Sequence, residues 1–438
     1  MPCIRPLVLL ALAFTLAFSS GGHAAQIGTI PPARALTAER VAALPAGERA
    51  PWQDYLARSD AQRAADRAVL AAERKGLAAW PAPPQGGHGE ASMPLDQPAD
   101  WYGSEAALAV ARNILSFQTP AGGWGKNQPR DRAPRQRGQA FVADNNSKRA
   151  TPGDFDTAQD AQWSYVGTID NDATITEIRF LARVAARQPG EAGAAYRQAA
   201  ERGLGYLLAA QFPNGGWPQV WPLQGGYHDA ITLNDNALVE VAELMGWAAR
   251  GEADLGFLPA ALKAAAAAAE ARAVRLLLAM QIRVEGRPAL WAQQHDALTL
   301  APASARNYEP PALCSGESAK ALDFLMSLPN PSPAVVDAIN GGVAALRALA
   351  VRDRAWVKLG EAEGRRLVER PGSGPLWARY YDAQTLKPVF GDRDKSLHDD
   401  VNDISLERRN GYAWWGSWPV KTLAAYDAWA ARWLKPAS

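Results

Sequence analysis

The chain has 438 residues, 48% of them hydrophobic, and a formal net charge of +1. Such a length and apolar content sustain a large core, and the near-zero charge removes any global electrostatic argument for nucleic acid or a membrane surface as partner. With only two cysteines in the sequence, a disulfide framework is excluded.

Residues 1–24 have the parts of a secretory signal in order: Arg5, the apolar stretch "LVLLALAFTLAF", and small residues in "GGHA" for cleavage near Ala24. The apolar stretch is too short to span a bilayer, and no cysteine follows it closely, so a lipid anchor is not expected. Cys3 leaves with this segment, and Cys314 remains alone. The mature protein is expected to be secreted or periplasmic, and a monomer.

Residues 25–98 form a charged, less apolar helical segment of unknown role that runs into the linker "WPAPPQGGHGE". From 99 to 438 helical periodicity dominates, in "SEAALAVARNILSFQ", "NDATITEIRFLARVAARQ", "YRQAAERGLGYLLAAQ", "LNDNALVEVAELMGWAA", "LPAALKAAAAAAEARAVRLLLAMQ" and "PVKTLAAYDAWAARWL". Strand alternation is scarce; "PLWARYYDA" with "KPVFGD" is expected to form one hairpin.

One phrase is written twice. "QTPAGGW" (Gln118 to Trp124) and "QFPNGGW" (Gln211 to Trp217) each close an amphipathic run, and a worn third copy leads from Gln281 to Trp291. A helix end, a glycine turn and an inward Trp, recurring roughly every 70–90 residues, point to helical hairpins stacked in a ring. The predicted fold is all-α, an α/α toroid with a few short strands; a simple helical bundle is the plainer alternative. Loops at one end of such a ring would share a cleft.

Polar residues gather in those loops. "TIDNDAT" carries Asp170, Asn171 and Asp172, and "GGYHDAITLNDNA" carries His228, Asp229, Asn234, Asp235 and Asn236. Helix capping accounts for one such residue per loop; clusters of oxygen ligands opening consecutive hairpins also suit a hard cation such as calcium. "SARNYEPPALCSGES" presents Arg306, Tyr308 and Glu309 before two prolines, with "SGES" to cap the next helix. Farther on, Arg379, Lys387, Arg393, Lys395, Arg408 and Arg409 interleave with Trp and Tyr. That mixture fits sugar carboxylates and sugar faces; salt bridges to the aspartates of the same stretch are the competing account.

Taken in order, "GGWGKN", "TIDNDAT", "ITLNDNA", "ARNYEPPALCSGES", "ARYYD", "PVFGDRD" and "ISLERRNGYAWWG" resemble the family 10 polysaccharide lyases, pectate lyases of the α/α-toroid kind. The resemblance runs from Ala99 to Lys435. It implies calcium-assisted anti β-elimination of polygalacturonate, with Asp170, Asp235 and Asn171 at the metal and Arg306 as the base. Lys126, Tyr308, Arg379, Arg393 and Arg408 would bind substrate. Asp172 departs from the pattern, standing where glycine is expected, and adds a carboxylate beside the presumed metal site. Bound calcium and flanking arginines are expected to lower the pKa of Arg306, with activity rising toward alkaline pH.

Three other readings compete. A glycoside hydrolase would use Asp170 and Asp235 as acid and base. A non-catalytic pectin-binding protein would keep only the groove. "DDVND", Asp399 to Asp403, fits the diphosphate-binding pattern of terpene cyclases, which also build helical toroids.

Overall fold

The computed structural model describes residues 26–87, 93–143, 153–157 and 166–434; the signal segment lies outside them. Eleven α-helices are present among the described residues: α1 (Ala38–Ala42), α2 (Ala46–Arg74), α3 (Glu105–Ser116), α4 (Ile175–Arg187), α5 (Ala194–Ala210), α6 (Ala237–Arg250), α7 (Ala260–Met280), α8 (Ser315–Ser327), α9 (Pro333–Ala348), α10 (Leu406–Gly411) and α11 (Pro419–Trp433). Helices α4 and α5, α6 and α7, and α8 and α9 pack as pairs. Neighbouring pairs touch along two rows, α4–α6–α8–α11 and α3–α5–α7–α9. Helices α4, α6 and α8 bury most of their residues and line the inside. The expected α/α toroid is the observed fold.

The repeated phrase has a clear structural job. The Gln118 amide donates to the carbonyls of Gly122 and Ala199, and the Trp124 indole N–H donates to Ile114 O. Gln211 and Trp217 repeat this with Gly215, Ala269 and Leu207; Gln281 and Trp291 repeat it with Ala289, Ala338 and Leu277. Each Trp thus latches onto the carbonyl four residues before the Gln, satisfying a group that the helix end leaves open. Gly215, at φ +103°, lies so near α7 that a Cβ would stand 2.6 Å from Arg272 O. A fourth copy escaped the sequence reading: Trp377 donates to Leu346 O, but without the Gln and with Gly374-Pro375 in place of Gly-Gly.

Strands are short. The expected reversal at 377–391 is present only as a Tyr381–Pro388 bridge with two flanking hydrogen bonds, because its arms pair elsewhere: Trp377–Ala378 with Trp415–Gly416, Tyr380–Tyr381 with Leu313–Cys314, and Phe390–Gly391 with Ser396–His398. The longest hairpin, Arg354–Lys358 with Arg365–Glu369, was not foreseen.

Residues 26–87 pack along the loops and helix ends of the ring. Gln26–Thr29 pairs with Ser396–His398, and Leu36 N–H donates to Asp229 at 3.0 Å. Arg40 grips Asp296 with two bonds at 2.6 and 2.7 Å. From α2, Trp52 and Tyr55 stack on Phe212 with ring centres 5.4 and 5.0 Å away, and belong to the main core. Burying each such ring contributes about 1.5–3 kcal/mol.

All inner-row helices begin at the same end of the ring, so the loops leading into them meet there. This arrangement builds the site described next.

Candidate active site

The loops before α4 and α6 have the same backbone. Asn171 and Asp172 take φ of 49° and 61°, and Asp235 and Asn236 take 51° and 62°. Among residues with a side chain, Asn and Asp tolerate this left-handed region best. Part of the Asn/Asp clustering is therefore a demand of the turn. It also explains why glycine is expected at 172.

Their side chains form an acidic pair. The Asp170 and Asp235 carboxyls share a hydrogen bond, and the Asn234 amide reaches Asp235 at 2.7 Å and Asp170 at 3.5 Å. The Lys126 ammonium lies on the other oxygen of Asp170. Burial, then the charge of Asp170, pushes Asp235 up to about 7. Burial also opposes ionisation of Asp170, but the ammonium of Lys126 outweighs it and holds that group at about 2. The two behave as one site sharing a proton.

Two expected members of this cluster are placed elsewhere. Asn171 donates to Asn127 at 2.9 Å on the surface. Asp172 bonds Glu240 on α6, which burial and that carboxylate raise to about 8, so its carboxylate does not join the acidic pair. Asp229 accepts the backbone N–H of Leu36 and Gly225 and serves the segment 26–87. His228 stacks on Tyr227 with ring centres 4.1 Å apart.

A hydrogen-bonded relay leads from the acids to the arginines. Gln293 donates to Asn234 and accepts from Tyr380; Tyr380 and Tyr412 hydroxyls are 2.8 Å apart, and Tyr412 donates to Glu309 at 2.7 Å. Glu309 holds Arg306 three ways, through its backbone N, Nε and Nη2, at 2.9, 2.9 and 2.7 Å. Nη1 of Arg306 makes no hydrogen bond among the described residues, and 38% of the side chain remains exposed. Burial works against the charge of Arg306, but Glu309 outweighs it and raises the pKa well above its usual value. The expected lowering by neighbouring arginines is thus corrected: the nearest charge to Arg306 is a carboxylate. Arg306 in turn overcomes burial to hold Glu309 at about 2.

The other arginines surround two tyrosine rings. Arg408, Arg306 and Arg393 lie 4.4, 5.2 and 5.4 Å from the centre of Tyr308, while Arg379 lies 4.8 Å from Tyr412. Tyr308 is only 4% exposed, a shelf for guanidinium groups more than a free sugar platform. Such cation–π contacts hold the cations at fixed positions. Their carboxylate partners are glutamates, not the aspartates of the same stretch: Glu407 bridges Arg393 and Arg408, and Glu317 takes Arg379 at 2.7 Å. Glu317 also accepts from the Cys314 thiol at 2.5 Å, so "SGES" begins α8 without the capping bond from a serine.

Residues 118–423 match the pectic acid lyase family. The chain belongs to that family. Two solved structures are similar to it, both of the family 10 polysaccharide lyase from Cellvibrio cellulosa. One is a mutant in complex with trigalacturonic acid, at 29% identity and a TM-score of 0.63, covering 77% of this chain and 99% of that one. The other has the same identity and TM-score and covers 75% and 94%. No curated protein matches the chain. No helix among the described residues is long and apolar enough to cross a membrane.

The donor set of this family member fits a hard divalent cation. Two buried carboxylates in contact, one forced to hold a proton, are oxygen ligands without sufficient positive charge between them. No group of three or more His, Cys, Asp or Glu is gathered among the described residues, so two carboxylates would leave coordination positions for water and an anionic ligand. Sequence reasoning missed Glu317, Glu407, Gln293, Tyr380 and Tyr412. The spacing of Glu309 three residues after Arg306 was the one local signal of a partner.

Proposed function

We propose that the protein is a pectate lyase that cleaves polygalacturonate by calcium-assisted anti β-elimination, with Arg306 as the base. The carrying observation is the cluster of four guanidinium groups on Tyr308 and Tyr412, joined through Glu309, Tyr380, Gln293 and Asn234 to two buried carboxylates. A polyuronate needs cations along its path, and the trigalacturonic acid bound to the Cellvibrio enzyme is a ligand of this class. The family 10 membership supports the reaction type.

Asp170 and Asp235 would hold the calcium ion, which when bound neutralises a sugar carboxylate and acidifies the adjacent C–H. The chain's own groups do the rest. Arg379, Arg393 and Arg408 bind carboxylates, and Lys126 extends the positive charge. Arg306, in its neutral form, takes the C5 proton through the open Nη1. The C5–H electrons form the C4–C5 double bond, the C4–O bond breaks, and the departing oxygen takes a proton from water. Positive charge preset around the carboxylate stabilises the enolate-like transition state. Because Glu309 keeps Arg306 charged, the reactive form becomes more abundant as pH rises.

An inverting hydrolase needs carboxyl groups roughly 6.5–9.5 Å apart; the hydrogen bond between Asp170 and Asp235 speaks against it. "DDVND" lies on an exposed turn where Asp400 caps Asn402, not on a helix face. Export after removal of residues 1–24, a lyase domain at 99–438 onto which the segment 25–98 packs, and a monomeric state complete the proposal.

The test is near-ultraviolet absorbance of the mature protein acting on polygalacturonate at alkaline pH, with calcium or chelator. A rise that chelator abolishes is expected from the unsaturated product. Reducing ends without absorbance would mean hydrolysis and overturn the reading.

A further inference from the structure

Next to the arginine cluster lies a cavity of about 390 Å³ whose wall includes Asp235 and Arg379 and then continues past them to Gly316, Lys320, Asp323, Trp418 and Lys421. That volume is in the range of ordinary small-ligand sites, about 300–1,000 Å³. Three features set its far half apart from the site already described.

The first is the seat of Trp418. A Cβ on Gly416 would stand 2.5 Å from its ring and one on Gly316 3.7 Å away, so two glycines let the indole lie flat against the backbone. The ring is only half-buried and faces open space, as a sugar platform must. The second is a pair of exposed lysines. Neither Lys320 nor Lys421 makes an ion pair among the described residues. Lys421 stands in the first turn of α11, which has no acidic residue, although a helix dipole disfavours a cation there. The third is the balance of charge. Glu317 is taken by Arg379, Asp235 is engaged with Asp170, and Asp323 and Glu243 both face Lys320, which leaves Lys421 with no carboxylate bonded to it among the described residues. Asp323, bonded to Thr422, keeps further lone pairs as acceptors for a hydroxyl.

We infer that this cavity is a distal subsite for a further uronate unit of the polymer, with Trp418 stacking the sugar ring, Lys421 and Lys320 taking its carboxylate and Asp323 its hydroxyl. The inference rests on the polygalacturonate reading and extends it: cleavage should favour chains long enough to reach past Arg379. A stacking face, a cation and an acceptor in one cavity match a sugar acid better than a neutral sugar or a free anion.

The experiment compares kcat/KM on unsubstituted trigalacturonate and hexagalacturonate for the wild type, Trp418→Ala, Lys421→Ala and Lys421→Arg. The hexamer-to-trimer ratio should fall roughly tenfold in the two alanine variants, the scale of one charge-assisted contact, and recover in Lys421→Arg. Comparable thermal midpoints exclude misfolding, and Lys421, being exposed, is the safer variant. An unchanged ratio in variants that still cleave would overturn the subsite alone. A wild type that neither binds nor cleaves either oligomer would overturn the lyase reading and the subsite with it.

Discussion

Glu309 binds Arg306 through three separate nitrogens and leaves one, Nη1, open to the cleft. The same carboxylate that aims the guanidinium also holds its proton on. Replacing Glu309 with Gln keeps the shape and removes the charge, so the pKa of Arg306 falls. The alkaline limb of the kcat/KM profile should therefore move to lower pH. An unmoved limb would mean that Arg306 is not the titrating base.

Arg393 and Arg408 share Glu407 at 2.8 and 2.5 Å. Removing either arginine lets Glu407 turn wholly to the other, so the two are coupled. The double alanine variant should lose less in log kcat/KM on polygalacturonate than the sum of the single losses, by the equivalent of about 0.5–3 kcal/mol. Simple additivity would argue that the two guanidinium groups act independently.

Asp235→Asn removes one carboxylate from the acidic pair and relieves its repulsion with Asp170. Calcium affinity, read by titration calorimetry without substrate, should drop about tenfold or more, the scale of one charge-assisted ligand contact. Stability near neutral pH should change little or rise. Undiminished affinity would place the cation elsewhere.

Acid stability should be set partly by Glu309. Its folded pKa of about 2 lies below the unfolded carboxylate value, so its contribution is present above roughly pH 4.3 and is lost as pH falls toward 2. Glu309→Gln should flatten the drop in thermal midpoint across that window. Asp229 has the opposite sign. Burial raises it to about 6 against the hydrogen bonds from Gly225 and Leu36, so the stability linked to its protonated form is lost as pH rises from about 4 through 6.

Two glycines offer a paired test of the scaffold. Gly205 sits in α5 with nothing within 4 Å of an added Cβ, whereas one on Gly215 would meet Arg272 O at 2.6 Å from a φ of +103°. Gly205→Ala should stabilise by about 0.5–1 kcal/mol, and Gly215→Ala should destabilise by more than that. Thermal midpoints of the two variants decide it.

The helices and the ring were legible because α4 and α6 carry apolar faces at helical spacing and because Gln118 and Gln211 mark the same break. The worn copies faded in order: Gln281 and Trp291 could still be paired by eye, but Trp377 had lost its Gln, and only the indole bond to Leu346 betrays it. The candidate residues of the site were named from motifs. Their partners were not, since nothing local ties Glu317 to Arg379 or Gln293 to Tyr380; the ring closes those distances. Asp172 was read as an extra carboxylate beside the metal site, while its backbone conformation was the informative part.

The Trp latches fix where each loop leaves the helical wall, whatever length of chain comes next. The sequence between Trp124 and α4 is long and that between Trp217 and α6 is short, yet Asp170 and Asp235 still meet. Specificity in such a ring can drift by rewriting the spans between latch and helix, as lettering changes on a keyboard whose keys stay bolted down.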